Sequence, residues 1–340
     1  MQQIKNNLDW DGGGAPEAPS APENLQQTGL TIGFLNDMIL RMLYTRGGLL
    51  GLDLARLLCL PFKVIEESLG FLKNEKAIEV LGGDLIGRIS YRFNLTDLGR
   101  RRAQEALKMC AYVGPAPVPL EDYVEQVYRQ AVTAINVSPE AIRAAFSHLV
   151  ISDELFNAVG PAIVSGKSVF IYGPPGNGKT AITQAIGNFM NTSGGEIYVP
   201  FAFMTENNVV TIFDKSIHEA VDSDDDRMED NEATIRRLLN TGAVDPRWVK
   251  IKRPVIITGG ELNLQMLDLR YSAESNYYQA PLHVKANGGI FLVDDFGRQL
   301  CSPKELLNRW IVPLENRVDY LSFASGQQFQ VPFEQLTMFS

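Results

Sequence analysis

Residues 173–180 read Gly-Pro-Pro-Gly-Asn-Gly-Lys-Thr, which fits the spacing Gly-x4-Gly-Lys-[Ser/Thr]. That spacing suits polyphosphate. Phosphate oxygens need converging N–H donors and a chain that can approach without side-chain clash, and Gly176 and Gly178 allow such an approach. Pro174 and Pro175 carry no N–H, so the donors are expected from Gly176, Asn177, Gly178, Lys179 and Thr180, with Gly173 opening the loop and Ala181 closing the set. Lys179 is expected on the β- and γ-phosphates of ATP and counts among the catalytic groups, and the Thr180 hydroxyl is expected on Mg2+. The bland alternative is a glycine-rich turn that binds nothing. Against it stand the flanks, an apolar strand over Val169–Tyr172 and a helix over Ala181–Met190, because strand, loop and helix in that order make the motif specific.

A second constellation lies 115 positions beyond Lys179, where Ile290–Val293 runs apolar and ends in Asp294 and Asp295. A continuous apolar run is the pattern of a parallel strand buried on both faces. A carboxylate at its end, beside the phosphate loop, is placed to hold Mg2+ through water, and Asp294 is assigned that role. Asp295 is assigned as the base or water-orienting acid. An ordinary strand end is the competing reading of this segment alone. The loop upstream favours chemistry.

These groups need elements to hold them. The chain has 340 residues, 45% hydrophobic, enough for two or three domains. No apolar run is long enough for a membrane span and no signal pattern opens the chain, so a cytoplasmic protein is expected. Three scattered cysteines, Cys59, Cys110 and Cys301, and three scattered histidines give no metal-ligand spacing. The net charge of −9 argues against a nucleic-acid coat, though residues 28–112 carry 12 Lys and Arg against 9 Asp and Glu.

Residues 1–27, rich in Gly, Pro and Ala, are expected to be a disordered tail. Over 28–112, helical spacing from Phe34 to Leu43, a short helix over Leu52–Leu58 and a third helix opening at Pro61 precede two strands, Ala77–Leu81 and Ile89–Leu95, joined at Gly82-Gly83-Asp84. Thr96 is expected to cap a closing helix. Residues 113–150 read as a Pro-rich linker and helices, and 151–340 as the nucleotide-binding core. Two βαβ units need about 60 residues, so the stretch from Lys179 to Asp294 holds an insertion. Strands over Glu196–Thr205 and Val209–Phe213 around Asn207-Asn208, an acidic run at Asp222–Asp226 and a helix over Glu232–Leu239 are expected there. Pro303–Leu314 reads as a helix, Val318–Phe323 and Gln328–Val331 as a hairpin, and Gln335–Ser340 as the start of another core strand.

The run 173–180 resembles the loop of AAA+ ATPases, and Ala286–Asp295 is similar to the acidic strand segment of their MoxR, magnesium-chelatase and σ54-activator branches. Tyr278-x-Ala-Pro-Leu-x-x-Lys-Ala-Asn-Gly-Gly and Asp294-Asp-Phe-Gly-Arg-Gln299 look most like bacterial AAA proteins described as predicted ATPases with chaperone activity. The resemblance spans about residues 110–340, and the segment 28–112 resembles a winged helix. It implies an α/β three-layer P-loop core with a parallel sheet behind a small α+β domain, a homo-oligomeric ring, and a protein substrate or adaptor. The family's usual second acid is Glu, and Asp295 is one methylene shorter. Sensor 1, the arginine finger and the helical lid of the family are expected beyond Ser340, so a weakly hydrolysing fragment is expected, with Arg298, Arg309 and Arg317 as the in-chain arginines to watch. The alternative is a DNA-binding regulator: Arg88, Arg92 and Arg100–Arg102 favour it, while Glu66 and Glu67 on the third helix oppose it. A GTPase is disfavoured by the lack of Asn-Lys-x-Asp, and a metabolic kinase by the lack of an Arg-rich clamp in the insertion.

Overall fold

A computed structural model describes residues 17–82, 90–135, 137–174, 176–221 and 244–340. The turn at 83–84, Arg88, Ile89, the acidic run Asp222–Asp226, the helix over Glu232–Leu239, residues 1–16 and Pro175 lie outside the described residues.

The first module builds on amphipathic helices whose apolar stripes meet. Helix α1 (Ile32–Arg46) starts at Thr31, whose hydroxyl accepts from the Phe34 N–H, and α2 (Gly51–Leu58) and α3 (Phe62–Asn74) follow. Strands β1 (Leu49–Leu50), β2 (Ile78–Val80) and β3 (Arg92–Leu95) pair antiparallel in the order β1-β3-β2. Helix α4 (Asp97–Met109) closes the module, with Thr96 capping through the Gly99 N–H. Leu35, Ile39, Leu43, Leu54, Leu58, Ile65, Leu72 and Phe93 form the core.

Residues 17–27 correct the expectation of a disordered tail. Ser20 pairs with Val244, the Asp245 N–H donates to Pro19 O (2.7 Å), and Ala21 is buried. The reason lies beneath the strap. Arg247, 2% exposed, grips Asp245 with Nε and Nη2 and donates from Nη1 to Thr28 O and Pro117 O, which fixes the segment whose Asp245 N–H holds Pro19 O, while Gln126 Nε2 donates to Glu17 O at 3.2 Å.

The Pro-rich run is likewise a seam rather than a free linker. Strand β4 (Val118–Pro119) pairs parallel with β7 (Ala202–Thr205), and helix α5 (Leu120–Arg129) leaves directly from it. After α6 (Pro139–Ala145) and α7 (Asp153–Ser165) come β5 (Val169–Phe170), the loop and α8 (Lys179–Ser193). The insertion forms its own sheets. Strand β6 (Glu196–Pro200) pairs antiparallel with β9 (Trp248–Lys252), while β7, β8 (Asn208–Thr211), β11 (Arg270–Ser272) and β12 (Tyr277–Gln279) join β4 in the order β11-β12-β8-β7-β4. The β7–β8 turn sits one residue earlier than expected, at Glu206 and Asn207, both left-handed (φ +49° and +60°), the backbone of a two-residue hairpin turn.

The core sheet is parallel, in the order β10-β13-β16-β5, from β10 (Val255–Thr258), β13 (Ile290–Val293), β16 (Leu336–Phe339) and β5. Ile290, Leu292, Leu336 and Met338 pack with Ile186 and Phe189 of α8. Phe291, Val293 and Phe339 pack with Leu306 and Trp310 of a last long helix at Pro303–Asn316. That helix precedes the hairpin of β14 (Val318–Ser322) and β15 (Gln328–Pro332). Helices on both faces make three layers.

The run Lys285-Ala-Asn-Gly-Gly joins this sheet to the insertion. Asn287 donates to Tyr123 Oη and Pro332 O and accepts from the Glu334 N–H, each at 2.9 Å. A Cβ on Gly289 would stand 2.0 Å from Pro254 O, so this crossing needs glycine. Arg253 bonds Gly194 O, Gln130 O and Gly288 O at the same joint. Beside it, buried Asp319 accepts from His283 Nε2 (2.7 Å) and from Arg309 Nη1 (2.6 Å). Burial would raise this carboxyl, but those two partners outweigh it and hold the pKa at about 2. We expect Asp319→Asn to cost about 3 kcal/mol in urea unfolding near neutral pH, because Arg309 loses its buried counter-charge and keeps only the exposed Asp268 at 3.5 Å. The native contribution is fully present above the ordinary carboxylate value and fades as pH falls toward about 2. A mutant as stable as the parent would remove this account.

Candidate functional site

The loop between β5 and α8 is shaped by two left-handed glycines, Gly176 (φ +85°) and Gly178 (φ +70°), and nothing lies within 4 Å of where their Cβ atoms would sit. That open space is where a side chain would obstruct a ligand. Gly178 is also the N-cap of α8 and supplies no side-chain cap, which leaves the first N–H groups of a 15-residue helix open to an anion. The Lys179 ammonium reaches back across the loop to Gly173 O (3.2 Å) and Pro174 O (3.4 Å). Asn177 and Thr180 are exposed at the same mouth, and Ala181 is half-buried in the first turn.

The pairing of the core strands sets what faces this mouth. The Ile171 N–H donates to Phe339 O (2.8 Å), so β5 and β16 stay paired up to the loop. The Ser340 N–H donates to Val293 O (3.0 Å) and the Asp294 N–H to Thr258 O (2.8 Å), so β10, β13 and β16 end in register. Loop, Ser340 and the two aspartates therefore leave the same edge of one sheet. The Asp294 strand is second from the loop strand, with β16 between them. Strand order follows from the crossovers and is not written in any local pattern.

Ser340 is the polar residue that sequence reasoning missed. Its Oγ donates to Asp294 Oδ1 at 2.5 Å, and Asp294 Oδ1 also accepts from the Asp295 N–H (3.1 Å). The signal was weaker than at Ile290–Val293, since Leu336-Thr-Met-Phe339 carries a threonine before the polar Ser340. Asp294 is half-buried and fixed. Asp295 is exposed, left-handed (φ +51°), and paired with exposed Arg298 at 3.7 Å.

The other two arginines are engaged elsewhere. Arg309 holds Asp319 and Asp268, and Arg317 holds Glu334 (2.9 Å) and Gly166 O (2.6 Å). The oxygen donors Thr180 and Asp294, with open loop N–H groups and one lysine, form a donor set that fits a polyphosphate with Mg2+.

No family model matches the chain. Over 96 residues it is 32% identical to a Corynebacterium jeikeium protein described as an AAA ATPase forming ring-shaped complexes. The similarity is to an AAA ATPase. It covers 26% of this chain and 17% of that relative, so the chain spans a small part of the relative's length. The mixed α/β architecture with its parallel sheet is consistent with a P-loop fold. Among the described residues no helix is long and apolar enough to cross a membrane.

Proposed function

We propose that the chain binds ATP with Mg2+ at residues 173–181 and hydrolyses it, as part of a cytosolic AAA+ remodelling ATPase of the MoxR-related kind that acts on a protein partner. The observation that carries this reading is the shared sheet edge, from which the glycine loop, Ser340 and Asp294–Asp295 all emerge. The open N–H groups from Gly176 to Thr180 cradle the phosphates, and the Lys179 ammonium leaves its loop carbonyls for the β- and γ-phosphate oxygens. Thr180 and Asp294 hold the metal, with Ser340 steadying the Asp294 carboxylate. When bound, Mg2+ supplies charge that offsets the negative charge of the phosphates. Asp295 would orient the attacking water and accept its proton as the water oxygen bonds to the γ-phosphorus and the bond from that phosphorus to the leaving ADP breaks.

We also propose a ring of identical subunits, a reading supported by the Corynebacterium jeikeium relative, described as forming ring-shaped complexes. For the module at 28–112 we propose a winged helix that recruits protein. Lys63, Glu67 and Phe71 are exposed on one stripe of α3, and a carboxylate with an aromatic ring suits a protein surface better than phosphates. The second reading, binding of duplex DNA, rests on exposed Arg92, Arg100 and Arg101.

Titration of the 340-residue chain with a fluorescent ATP analogue, with and without Mg2+, alongside phosphate release, tests the nucleotide assignment; no saturable Mg2+-dependent binding would overturn it. Gel shifts at low and moderate salt are expected to give no sequence-preferring complex. Tight binding that persists at moderate salt would favour the regulator.

A further inference from the structure

Asp295 is given its role by position, yet nothing holds its carboxylate tightly. Among the described residues its one ion pair is with Arg298, at 3.7 Å, and the two side chains are 67% and 78% exposed. Such a pair is too weakly held in water to orient a base. The direction of the carboxylate is therefore set by the backbone beneath it. That backbone is left-handed at Asp295 (φ +51°) and again at Gly297 (φ +104°), with the Arg298 N–H closing a turn on Asp295 O at 3.0 Å. A left-handed non-glycine residue costs about 1–2 kcal/mol and persists where surrounding bonds fix it.

Gln299 makes those bonds. Its Nε2 donates to Asp294 O (2.9 Å) and Asp295 O (3.2 Å) and lies 3.5 Å from Gly259 O, while its Oε1 accepts from the Gly297 N–H (2.7 Å). The last backbone rung between β10 and β13 is Asp294 N–H to Thr258 O. One residue further on, where the chains diverge, the side-chain amide takes over that bridge. It uses both its donor and its acceptor on the turn that carries the two aspartates.

We infer that Gln299 is a positioning residue, which locks the Asp294–Arg298 turn so that the Asp295 carboxylate meets the attacking water. This inference rests on the hydrolytic role of Asp295 proposed above. Gln299 touches neither phosphate nor metal in this scheme, so its loss should act on turnover and spare binding.

The test is Gln299→Glu, of the same length but presenting a carboxylate to two carbonyl oxygens, with Gln299→Met as a charge-free second variant. In steady-state ATP hydrolysis by the full 340-residue chain, kcat should fall about tenfold to a hundredfold in both, the scale of a small misplacement of a reacting group. KM and the analogue dissociation constant should stay within about twofold. Placed on Asp295→Asn, Gln299→Glu should cost less than about twofold more, because the group it positions is already disabled. An unchanged kcat against an active wild type overturns the inference, as does a full further loss in the Asp295→Asn background. A fall in kcat accompanied by lost affinity and a lowered Tm would mark Gln299 as a structural brace and overturn it equally. A wild-type chain that binds ATP without turning it over removes the reaction itself, and both claims go with it.

Discussion

Lys179→Ala is expected to lower the affinity for ATP with Mg2+ by about a hundredfold or more. Lys179 is the loop's one cationic side chain, and a charge-assisted hydrogen bond to an anion is worth about 1.5–3 kcal/mol, with two phosphates within its expected reach. The fold should not suffer. The bonds Lys179 makes in this structure are to Gly173 O and Pro174 O at the solvent-exposed mouth, and surface losses of that kind usually stay within about 0.5 kcal/mol. Fluorescent-nucleotide titration with a thermal melt beside it separates the two effects. Equal affinity in mutant and parent would remove the phosphate-loop assignment.

The aspartate pair carries the second large effect. Asp295→Asn should retain nucleotide while turnover drops by about 10²- to 10⁴-fold, the range for losing a general base. Asp294→Asn should instead weaken the Mg2+-dependent part of binding. The structure gives the two residues different settings. Asp294 Oδ1 is held by the Ser340 hydroxyl and the Asp295 N–H, as suits a fixed metal-side oxygen, whereas Asp295 stands exposed on a left-handed turn. An asparagine at 294 can still accept both bonds through its amide oxygen, so charge alone is removed. If the mutants exchange phenotypes, the two roles are reversed.

Much of this was legible in the residues. Glycine spacing around Lys179 and the apolar run before Asp294 announce themselves because both are local: one follows from what backbone can approach a phosphate, the other from burial on two faces. The cap at Thr96 was equally plain, since its hydroxyl accepts the Gly99 N–H expected of an N-cap. Helix and strand identities in the first module came through for the same reason. Strand order did not, and with it went Ser340, whose importance depends on β16 lying between loop and aspartates. Two-residue strands such as β1 and β4 are too short to show a period. Arg247, Arg253 and Arg41 are nearly fully buried, each spent on backbone carbonyls far away in sequence, and nothing in their neighbours marks them. Composition misled at residues 17–27 because the partners of that backbone, the Asp245 N–H, Val244 and the Gln126 side chain, come from positions about 100 to 200 further on.

The seam at residues 110–119 has a practical corollary. Ala111 N–H bonds Ser275 O, Ala116 N–H bonds Leu58 O, and Ala202 and Val209 from the insertion sit in the same apolar cluster as the first module's helices. A boundary near 112 that looks natural on paper cuts through a shared interior. Expressed by itself, the 28–112 piece would leave that cluster open, and the remainder would lose the residues that cover the β7–β8 hairpin. Chemical melts of the whole chain should accordingly show the first module and the inserted sheet unfolding together. A force or motion arising at the insertion would reach the helices of the first module as through a solid bracket, without the slack of a tether.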